Sequence, residues 1–565
     1  MKFYVPLYME NIFEIRYTIG IIVQRNFLLD EILKGETMGR FLNPDNSSFQ
    51  DVINSEIYVD KTGLLDYTNS VINTTSKFIC NSRPRRFGKS ITADMMAAYY
   101  SMGCDSRELF MGYDISKKGS FEKYLNKYDV LHLDIQWCIE PAKGPENVVS
   151  YIIENTVAEL KPAFPDVKVE GRVTLSDMLS QINAQTGKRF IVIIDEWDVL
   201  VRDEANNQSV QEEYINFLRG LFKGSSATRY IALAYLTGIL PIKKLKTQSA
   251  LNNFEEFTMI SPGGFAHYIG FTEDEVKKLC EKSGRDFELV KKWYDGYLLG
   301  EYHIYNPKAV SNVIKWGNFQ SYWSQTGTYD SIQPLINKDF DGLKSAIVEM
   351  ISGAETEVKT TTFQNDMVTF RNKNDVMTLL IHLGYLAYDQ KRQMAYIPNE
   401  EIRMEFMNAV EDDKWNELIE FETQSERLLE ATLDMEEKVV AEYIDKIHNE
   451  YASTIQYHNE NSLSSVLAIG YISAMKYYFK PVREMPTGRG FADFVFIPKQ
   501  EYVMDYPALV VELKWNKDVK TAINQIKDRQ YPQSVLQYTG NILLVGINYD
   551  KKTKVHECII EELVK

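Results

Sequence analysis

The sequence has few cysteines, no long apolar run and no excess of positive charge. Its five cysteines are odd in number and scattered over 565 residues. They lack the close pairs that zinc sites and disulfide frameworks use, so we expect reduced thiols that fill core space.

No run approaches the roughly 18 uninterrupted apolar residues that span a bilayer. The apolar start, which Glu10, Glu14 and Arg16 interrupt, has no signal-peptide cleavage site. We therefore predict a cytoplasmic protein that does not cross a membrane.

The formal net charge of −16 argues against a surface that coats nucleic acid through charge alone. The charge is unevenly distributed, because residues 481–565 carry 12 Lys and Arg against 11 Asp and Glu. A contact with nucleic acid therefore fits best at the C-terminal end.

The length and composition, with 44% apolar and 25% charged residues, indicate a multidomain globular protein. Residues 1–37 are interpreted as an N-terminal extension, since Met38 would make a natural start. We predict a P-loop domain over 38–270, a helical lid over 271–410, an acidic helical connector over 411–455 and a last domain over 456–565. The acidic charges of the connector are interpreted as a solvated face.

Short apolar runs alternate with helical patterns in the predicted P-loop domain. These runs begin at Lys77, Val130, Phe190, Tyr230 and Phe254. Strands separated by long crossovers predict a mainly parallel sheet with helices on both faces, an α/β fold. In the lid, the stretch from Leu380 has the pattern of a helix followed by a hairpin, which indicates a winged-helix unit.

The last domain has the order helix, strand, strand, strand, helix, strand. Its helices begin at Glu460 and Val519, and its strands are KPVREM, ADFVFI, ALVVELKW and NILLVGI. This α-β-β-β-α-β order predicts a restriction-endonuclease-like domain.

The segment SRPRRFGKS, which ends at Ser90, has the second half of a phosphate-binding loop. Such a loop offers backbone N–H groups, a lysine for the β- and γ-phosphates and a hydroxyl for Mg²⁺ at the start of a helix. Gly88, Lys89 and Ser90 meet these needs, whereas Arg83 stands where the first glycine of the motif belongs. We predict a site for a nucleotide triphosphate and Mg²⁺ at this loop.

Three arginines belong to this loop, at Arg83, Arg85 and Arg86. Guanidinium groups bind phosphate oxygens through charge-assisted hydrogen bonds. We therefore expect the three to gather phosphate charge, and the alternative is a solvated basic loop.

Farther along the chain, the apolar strand FIVIIDEWD ends in Asp195 and Glu196. An aspartate in this position supports Mg²⁺ and a glutamate polarises the attacking water. Thr237, at the end of the following strand, is placed to sense the γ-phosphate. Trp197 and Asp198 are interpreted as local packing and turn residues.

The last domain contains acids and a lysine inside apolar strands. Asp493 lies on one predicted strand, and Glu512 and Lys514 lie on the next, where side-chain alternation puts them on one face. Buried charges persist mainly when they are paired or bind metal. Phosphodiester cleavage needs carboxylates that hold Mg²⁺ and a lysine beside them, so we predict this role here. Glu460 is a further candidate metal ligand, and Gln525 a further member of the cluster. The alternative is a plain Glu-Lys pair on a half-exposed strand.

These residues resemble a family of bacterial proteins in which an AAA-ATPase-like domain precedes a PD-(D/E)XK nuclease-superfamily domain. The resemblance covers nearly everything after Met38. It depends on the motifs MGRFLNP, YVDKT, SRPRRFGKS, IIDEWD, LTG, LNNF, WYDGY, YNP and YW, and on ENS, TGRG-ADFVF and VVELKW in the last domain. The arginine-rich loop without its first glycine is characteristic of this family. One departure is Ala492, which replaces the proline of the nuclease motif without touching a ligand.

The resemblance implies ATP binding, Mg²⁺-assisted hydrolysis and a nuclease-like site at the residues singled out above. It also makes homo-oligomers a candidate assembly, because AAA-like ATPases often assemble. The sequence leaves the oligomeric state open. Our preferred hypothesis is an ATPase coupled to a Mg²⁺-dependent nuclease that acts on DNA or RNA. One alternative is a signalling or defence switch whose C-terminal domain binds nucleic acid or a partner without cleavage. Another is a nucleotide-binding scaffold with a degenerate second domain.

Overall fold

A computed structural model describes most of the chain after Met38. The described residues are 39–169, 173–204, 207–244, 251–323, 329–365, 367, 369–412, 416–451, 467, 470–479, 481–487, 490–528 and 540–563. They form two compact units, one within residues 39–271 together with 364–369, and one from the remainder. The predicted N-terminal extension and Glu460 lie outside the described residues. The finer division into five segments stays a prediction.

Five parallel strands form the central sheet of the first unit. They are β1 (Phe78–Ser82), β2 (Asp129–Asp134), β3 (Phe190–Asp195), β4 (Ile231–Gly238) and β5 (Glu255–Phe257). Their order in the sheet is β2-β3-β4-β1-β5. Every residue of β1, β3 and β4 is buried, as expected for a parallel sheet that is covered on both faces. The prediction of a parallel α/β sheet is confirmed.

The α-helices of this unit flank the sheet. In chain order they are α1 (Ser47–Ile53), α2 (Leu64–Val71), α3 (Lys89–Tyr100), α4 (Arg107–Phe110), α5 (Phe121–Tyr124), α6 (Ile135–Ile139), α7 (Val148–Ala163), α8 (Leu175–Thr186), α9 (Val199–Arg202), α10 (Gln208–Phe222) and α11 (Ser225–Tyr230). Helix α3 follows β1 and packs against β2, β3 and β4. Helices α7, α8 and α10 share one apolar core with the sheet through residues such as Ile152, Leu179 and Leu218. Amphipathic helices of this kind keep their polar face in solvent.

Asn43, from the motif MGRFLNP, holds the edge strand β2. Its Oδ1 accepts the Val130 N–H at 2.8 Å, and its Nδ2 donates to Asp129 Oδ1 at 3.0 Å. The side chain therefore satisfies backbone and side-chain groups on the outer side of β2, where Leu42 also forms an antiparallel bridge with Leu131. This motif stabilises the fold.

The second unit begins with helices and two small sheets. The helices are α12 (Glu273–Ser283), α13 (Phe287–Tyr294), α14 (Pro307–Trp316), α15 (Tyr329–Asn337), α16 (Leu343–Ile351), α17 (Lys373–Leu383) and α18 (Glu400–Asp412). The strands are β6 (Phe271–Thr272), β7 (Tyr297–Leu299), β8 (Tyr302–Tyr305), β9 (Thr356–Glu357), β10 (Ala387–Asp389) and β11 (Met394–Tyr396). They pair in the orders β6-β8-β7 and β10-β11-β9. The helix and antiparallel hairpin predicted around Leu380 are present as α17, β10 and β11.

The motifs WYDGY and YNP have structural roles in this region. Tyr297, the last residue of WYDGY, donates its hydroxyl to the Gly384 carbonyl at 2.6 Å. Asn306 is the N-cap of α14, where its Oδ1 accepts the Lys308 N–H at 2.9 Å and Pro307 is the first helical residue. These residues of the two motifs fasten loops and begin a helix.

The C-terminal part of the second unit is a mixed five-stranded sheet with helices. The helices are α19 (Asn416–Leu433), α20 (Glu437–Tyr451) and α21 (Val519–Asp528), and the strands are β12 (Val482–Thr487), β13 (Gly490–Phe496), β14 (Ala508–Trp515), β15 (Ile542–Asp550) and β16 (Val555–Glu562). The strands lie in the order β12-β13-β14-β15-β16, in which β14 and β15 are parallel and the other pairs antiparallel. The helix predicted from Glu460 lies mainly outside the described residues.

Strand β16 corrects the predicted order of this domain. The last predicted strand is NILLVGI, whereas the chain turns after Asp550 and returns as a further, antiparallel strand. Residues of β16 alternate largely between exposed and buried positions, as on an edge strand with one solvated face. Its glutamates hid the apolar alternation. Within the described residues, the order from Val482 on is strand, strand, strand, helix, strand, strand.

Helix α20, in the predicted acidic connector, packs against β16. Glu437 Oε1 accepts the Ile560 N–H at 3.0 Å, and Asp445 Oδ1 accepts the His556 N–H at 3.0 Å. An edge strand exposes unpaired N–H groups, and these carboxylates satisfy two of them. The interpretation of the acidic residues as a solvated face is therefore wrong for Glu437 and Asp445.

The five cysteines are free, and four of them are buried. The exception is Cys104, which is half-buried. Thiols that fill core space are thus found at most of the positions where they were expected. Within the described residues, no helix is both long and apolar enough to cross a lipid bilayer.

Candidate functional site

The phosphate loop joins β1 to α3 at the carboxyl edge of the central sheet. β1 ends at Ser82, and α3 begins at Lys89 with Gly88 as its N-cap. Gly88 has a φ of 89° and Arg86 a φ of 67°, so both adopt the left-handed backbone that favours glycine. A Cβ on Gly88 would meet no atom within 4 Å, so the backbone conformation and not crowding requires glycine. Loops with left-handed residues turn neighbouring N–H groups toward one side, where they bind anions.

The Lys89 side chain lies across the loop toward β3. Its ammonium donates to the Pro84 carbonyl at 3.1 Å and lies 3.6 Å from Glu196 Oε1. The side chain is only 4% exposed, so its charge acts in a poorly solvated region. Ser90, the second residue of α3, is exposed. The structure thus brings the lysine of the loop to the acid that follows β3.

Asp195 and Thr237 lie side by side at the ends of β3 and β4. The Thr237 hydroxyl donates to Asp195 Oδ1, which also accepts the Glu196 N–H at 3.0 Å. Thr237 is fully buried, and Asp195 is 5% exposed. The two strands therefore orient the carboxylate predicted to support Mg²⁺, and the sensing role of Thr237 stays a prediction.

The structure separates the three arginines of the loop. The Arg83 guanidinium is fully buried, where its Nη1 donates to the carbonyls of Ser82 and Phe257 at 3.0 Å each. Burial lowers the pKa of Arg83 to about 10, and no polar atom in the described residues pairs with its Nε or Nη2. Arg85 and Arg86 are half-buried. Arg83 thus anchors the loop to β5, a role that the sequence analysis missed.

The acidic cluster of the C-terminal sheet is centred on β14. Glu512 is 1% exposed and Lys514 is 7% exposed. The Lys514 ammonium donates to Glu512 Oε1 at 2.8 Å and to the Leu513 carbonyl at 2.8 Å. Gln525, on α21, donates its side-chain N–H to the same Glu512 oxygen. The structure brings these three side chains together on one face of the sheet.

Asp493 lies on β13, beside the same end of β14. The register pairs Phe494 with Val511, which leaves Asp493 one position beyond the last pair and beside Glu512. Asp493 Oδ2 accepts the Leu513 N–H at 2.7 Å. A main-chain hydrogen bond of this kind fixes a carboxylate at the edge of the cluster.

Two family models match the chain in the regions of these sites. The model described as Predicted AAA-ATPase matches residues 46–247, and the model described as PD-(D/E)XK nuclease superfamily matches residues 458–558. The chain joins an AAA-ATPase-like domain to a PD-(D/E)XK superfamily domain. The first match contains the phosphate loop and the ends of β3 and β4, and the second contains the acidic cluster on β14.

A curated protein of Azotobacter chroococcum mcd 1, described as an uncharacterized protein in the vnfD 5′ region, is 26% identical over 287 residues. The match covers 50% of this chain and 52% of the relative, so the chain spans about half the length of that relative. Among solved structures, Aeropyrum pernix ORC2 in its ADPNP-ADP complexes is 12% identical, covers 63% of this chain and 97% of its own, and has a TM-score of 0.27. AMPPCP-bound DnaA from Aquifex aeolicus is 10% identical, covers 65% and 93%, and has a TM-score of 0.24. At these low TM-scores, the fold assignment depends on the strand order and the family models.

Glu196 of the AAA-ATPase-like domain has cationic neighbours from separate elements. Its φ of 50° is left-handed, a conformation that costs a non-glycine residue about 1 kcal/mol or more. Burial raises the pKa of Glu196, but the charges of Lys89, Arg202 and Arg85 outweigh this effect and hold the pKa below its usual value. The side chain is therefore an ionised carboxylate. The sequence analysis missed Arg202, although an arginine one helical turn after an aspartate in the run DVLVR is a signal for such a pair.

Asp198, which follows β3, binds the segment that follows β4. Its Oδ2 accepts the N–H groups of Ile239 and Leu240 at 3.0 and 2.8 Å and lies 3.4 Å from Arg202 Nη1. The side chain is fully buried. The interpretation of Asp198 as a local turn residue is thus incomplete, because it fastens two segments that are far apart in sequence.

Gly238, from the motif LTG, allows this contact. A Cβ at Gly238 would lie 2.6 Å from Trp197 Nε1 and 2.7 Å from Asp198 Oδ1. Contacts this short do not occur without a shift of the neighbouring atoms. Glycine at the end of β4 therefore lets Trp197 and Asp198, which follow β3, pack closely against β4.

Two further acids surround Asp195. Asp134 ends β2 and pairs in register with Asp195. Asp94 lies on α3, four residues after Ser90. Burial, together with the charges of Asp195 and Asp134, raises the pKa of Asp94 to about 7. The sequence analysis missed both acids, because Asp134 depends on the strand order and Asp94 lies within a mixed helical pattern.

Proposed function

We propose that the chain binds and hydrolyses ATP with Mg²⁺ at the phosphate loop and cleaves nucleic acid with a divalent metal at the acidic cluster of β14. The observation that carries the ATPase half is the approach of Lys89 to Glu196, with a nitrogen to oxygen distance of 3.6 Å. It unites the end of the loop with the end of β3, as phosphoryl transfer requires.

The residues of the loop fit a triphosphate. Gly88 and Arg86 give the loop its left-handed turns, and the Lys89 ammonium contacts the neutral Pro84 carbonyl and the Glu196 carboxylate. Such an ammonium gains charge-assisted bonds when phosphate oxygens replace the carbonyl. Arg85, which is half-buried and close enough to lower the pKa of Glu196, supplies a second cation.

Ser90 and Asp195 fit Mg²⁺, an ion that prefers oxygen ligands. Ser90 offers an exposed hydroxyl, and Asp195 offers a carboxylate that Thr237 and its own chain orient. When bound, the ion neutralises charge on the phosphate oxygens. Glu196 orients the attacking water and accepts its proton.

The acidic cluster supports the nuclease half. A buried glutamate and lysine on one face of β14, with Asp493 at the neighbouring strand, match the needs of phosphodiester hydrolysis. Asp493 and Glu512 would hold the metal, which polarises the phosphate when bound. Lys514 would stabilise the charge that develops on the phosphate. Glu460 stays a predicted ligand.

The ATPase is tested with Lys89→Ala and Glu196→Gln. Lys89→Ala removes the ammonium, so we expect ATP affinity to fall by at least about tenfold, whereas Glu196→Gln keeps binding and slows turnover by about 100-fold or more. Binding is measured with a fluorescent ATP analogue and turnover by phosphate release. Lys117→Ala, which removes a surface lysine paired with Asp114, is the matched control. Unchanged turnover in both site variants rejects the ATPase.

The nuclease is tested with Glu512→Gln and Lys514→Gln on single- and double-stranded DNA and RNA, in Mg²⁺ or Mn²⁺. We expect both variants to lose cleavage by about 100-fold or more, because metal binding and charge stabilisation are removed. Lys527→Ala, which removes a half-exposed lysine on α21 that pairs with Glu561, is the control. Nucleic-acid binding without metal-dependent cleavage in the wild type favours the switch without a nuclease, and the absence of both favours a nucleotide-binding scaffold.

A further inference from the structure

Two cations contact the Glu196 carboxylate from different elements. Lys89, from the phosphate loop, lies 3.6 Å from Oε1, and Arg202, from α9, lies 3.5 Å from Oε2. The left-handed backbone of Glu196 is strained for an L side chain, so its orientation depends on what holds it. Lys89 and Arg202 are two of the groups that hold it, and the charge of Arg85 also acts on the carboxylate.

Bound ATP would affect these two contacts differently. Under the proposed function, the Lys89 ammonium serves the phosphates of ATP and leaves Glu196. The other partners of Arg202 belong to its own segment: Nη1 lies 3.4 Å from Asp198 Oδ2, and Nε donates to Asp203 Oδ1 at 2.9 Å. Arg202 is therefore the contact that Glu196 keeps.

Asp198 fixes the place of Arg202. The buried Oδ2 of Asp198 accepts two main-chain N–H groups, from Ile239 and Leu240, in addition to its contact with Arg202. A carboxylate held by two backbone donors has little freedom. The guanidinium is thus held in place relative to the segment after β4. Strand β4 also carries Thr237, which contacts Asp195.

We propose that Arg202 is a positioning residue that aims Glu196 at the attacking water and ties its orientation, through Asp198, to the end of β4. The inference rests on the proposed ATPase. Arg202 acts through Glu196 and has no direct contact with ATP in this role. An arginine suits the task, because its planar fork reaches Glu196, Asp198 and Asp203 together, whereas a lysine offers one charged atom.

The test is a double-mutant cycle of Arg202→Ala and Glu196→Gln in the full chain. We expect Arg202→Ala to lower kcat by about 10- to 100-fold with KM and ATP-analogue affinity changed less than about threefold, because orientation is lost while binding is kept. In the Glu196→Gln background, the same change should cost less than about threefold, since the residue that it positions no longer works. Arg202→Lys should restore part of kcat.

Controls separate folding from positioning. Arg219→Ala, on the exposed face of α10, should leave kcat unchanged. If Arg202→Ala fails to fold, Arg202→Gln keeps two N–H donors without the charge and should show the same loss of kcat at unchanged KM.

Three outcomes overturn the inference alone, and a fourth overturns it together with the proposed ATPase. An equal loss from Arg202→Ala in both backgrounds means that Arg202 acts independently of Glu196. A rise in KM at unchanged kcat means that it serves binding. If Glu196→Gln slows turnover but Arg202→Ala has no effect, the inference alone is rejected. If Glu196→Gln leaves turnover unchanged, the proposed ATPase is rejected together with the inference.

Discussion

The phosphate loop and the acidic cluster of β14 hold charged side chains inside the protein in different ways. At the loop, Glu196 lies between Lys89 and Arg202, which come from separate elements and have further partners. At the cluster, Glu512 and Lys514 lie two residues apart on one strand and bind each other at 2.8 Å. Side chains that come from several elements can change partners while the fold is kept. A pair of side chains on one buried strand, in contrast, is part of the packing of the sheet.

Removal of the acid should therefore cost far more stability at the cluster than at the loop. Glu512→Ala leaves the Lys514 ammonium buried at 7% exposure without its carboxylate partner, and we expect a loss of about 3–5 kcal/mol. Glu196→Ala breaks longer contacts, at 3.6 Å to Lys89 and 3.5 Å to Arg202, and leaves Arg202 its bond to Asp198, so we expect a smaller loss of about 1–2 kcal/mol. Urea denaturation of each variant measures the difference.

Glu512→Gln is the control, because it keeps an oxygen for Lys514 and should lose less stability than Glu512→Ala. Equal losses from Glu512→Ala and Glu196→Ala would contradict the comparison. They would mean that the partners of Glu512 rearrange as readily as those of Glu196.

At the end of β4, stability should depend more on close packing around Gly238 than on charge. Gly238→Ala places a Cβ within 2.7 Å of Trp197 and Asp198, so the strand ends must shift, at a cost of up to about 3 kcal/mol. We also expect weaker binding of the fluorescent ATP analogue, because the same strand carries Thr237 beside Asp195. Thermal denaturation and nucleotide titration measure both effects. Gly119→Ala, at an exposed position where a Cβ meets no atom within 4 Å and the φ is not left-handed, is a control for glycine replacement, and equal losses in both variants would reject the packing explanation.

Acid should loosen the packing of α20 against β16 at the C-terminal sheet. Burial, with the charge of His556, lowers the pKa of His448 to about 4 from its usual 6.5. The folded-state pKa lies below the unfolded value, so stability is full above about pH 6.5 and falls as the pH drops toward 4, by about 2 kcal/mol at pH 5. Hydrogen exchange of α20 and β16 at pH 7 and pH 5 measures the change.

His448→Phe removes the titrating ring and keeps an aromatic group beside Tyr549, whose centroid lies 4.9 Å from that of His448. Exchange of α20 and β16 in this variant should depend less on pH. The same acid sensitivity in His448→Phe and wild type would assign the effect to other groups.

The sequence was sufficient where one element contains the whole pattern. Glu512 and Lys514 share a face because strand side chains alternate, and Asp195 and Glu196 follow a strand whose apolar run is unmistakable. The five parallel strands followed from apolar runs with long crossovers. Each of these predictions needs only local periodicity.

The sequence was insufficient where elements far apart meet. Asp198 bonds to Ile239 and Leu240, about 40 residues later, and this contact depends on β3 lying beside β4. Arg83 reaches the Phe257 carbonyl because β5 adds beside β1. Strand β16 escaped prediction because its glutamates interrupt the apolar alternation. Local periodicity does not determine which strands far apart in the sequence become neighbours.

The measurement that tests the account most directly is a crystal structure of the full chain with a non-hydrolysable ATP analogue and Mn²⁺, in which anomalous scattering locates the metal. We expect the triphosphate at Lys89 with Mn²⁺ beside Ser90 and Asp195, and a second Mn²⁺ between Asp493 and Glu512. A nucleotide bound elsewhere would contradict the ATPase site, and a β14 cluster without Mn²⁺, with Lys514 still bonded to Glu512, would contradict the nuclease site.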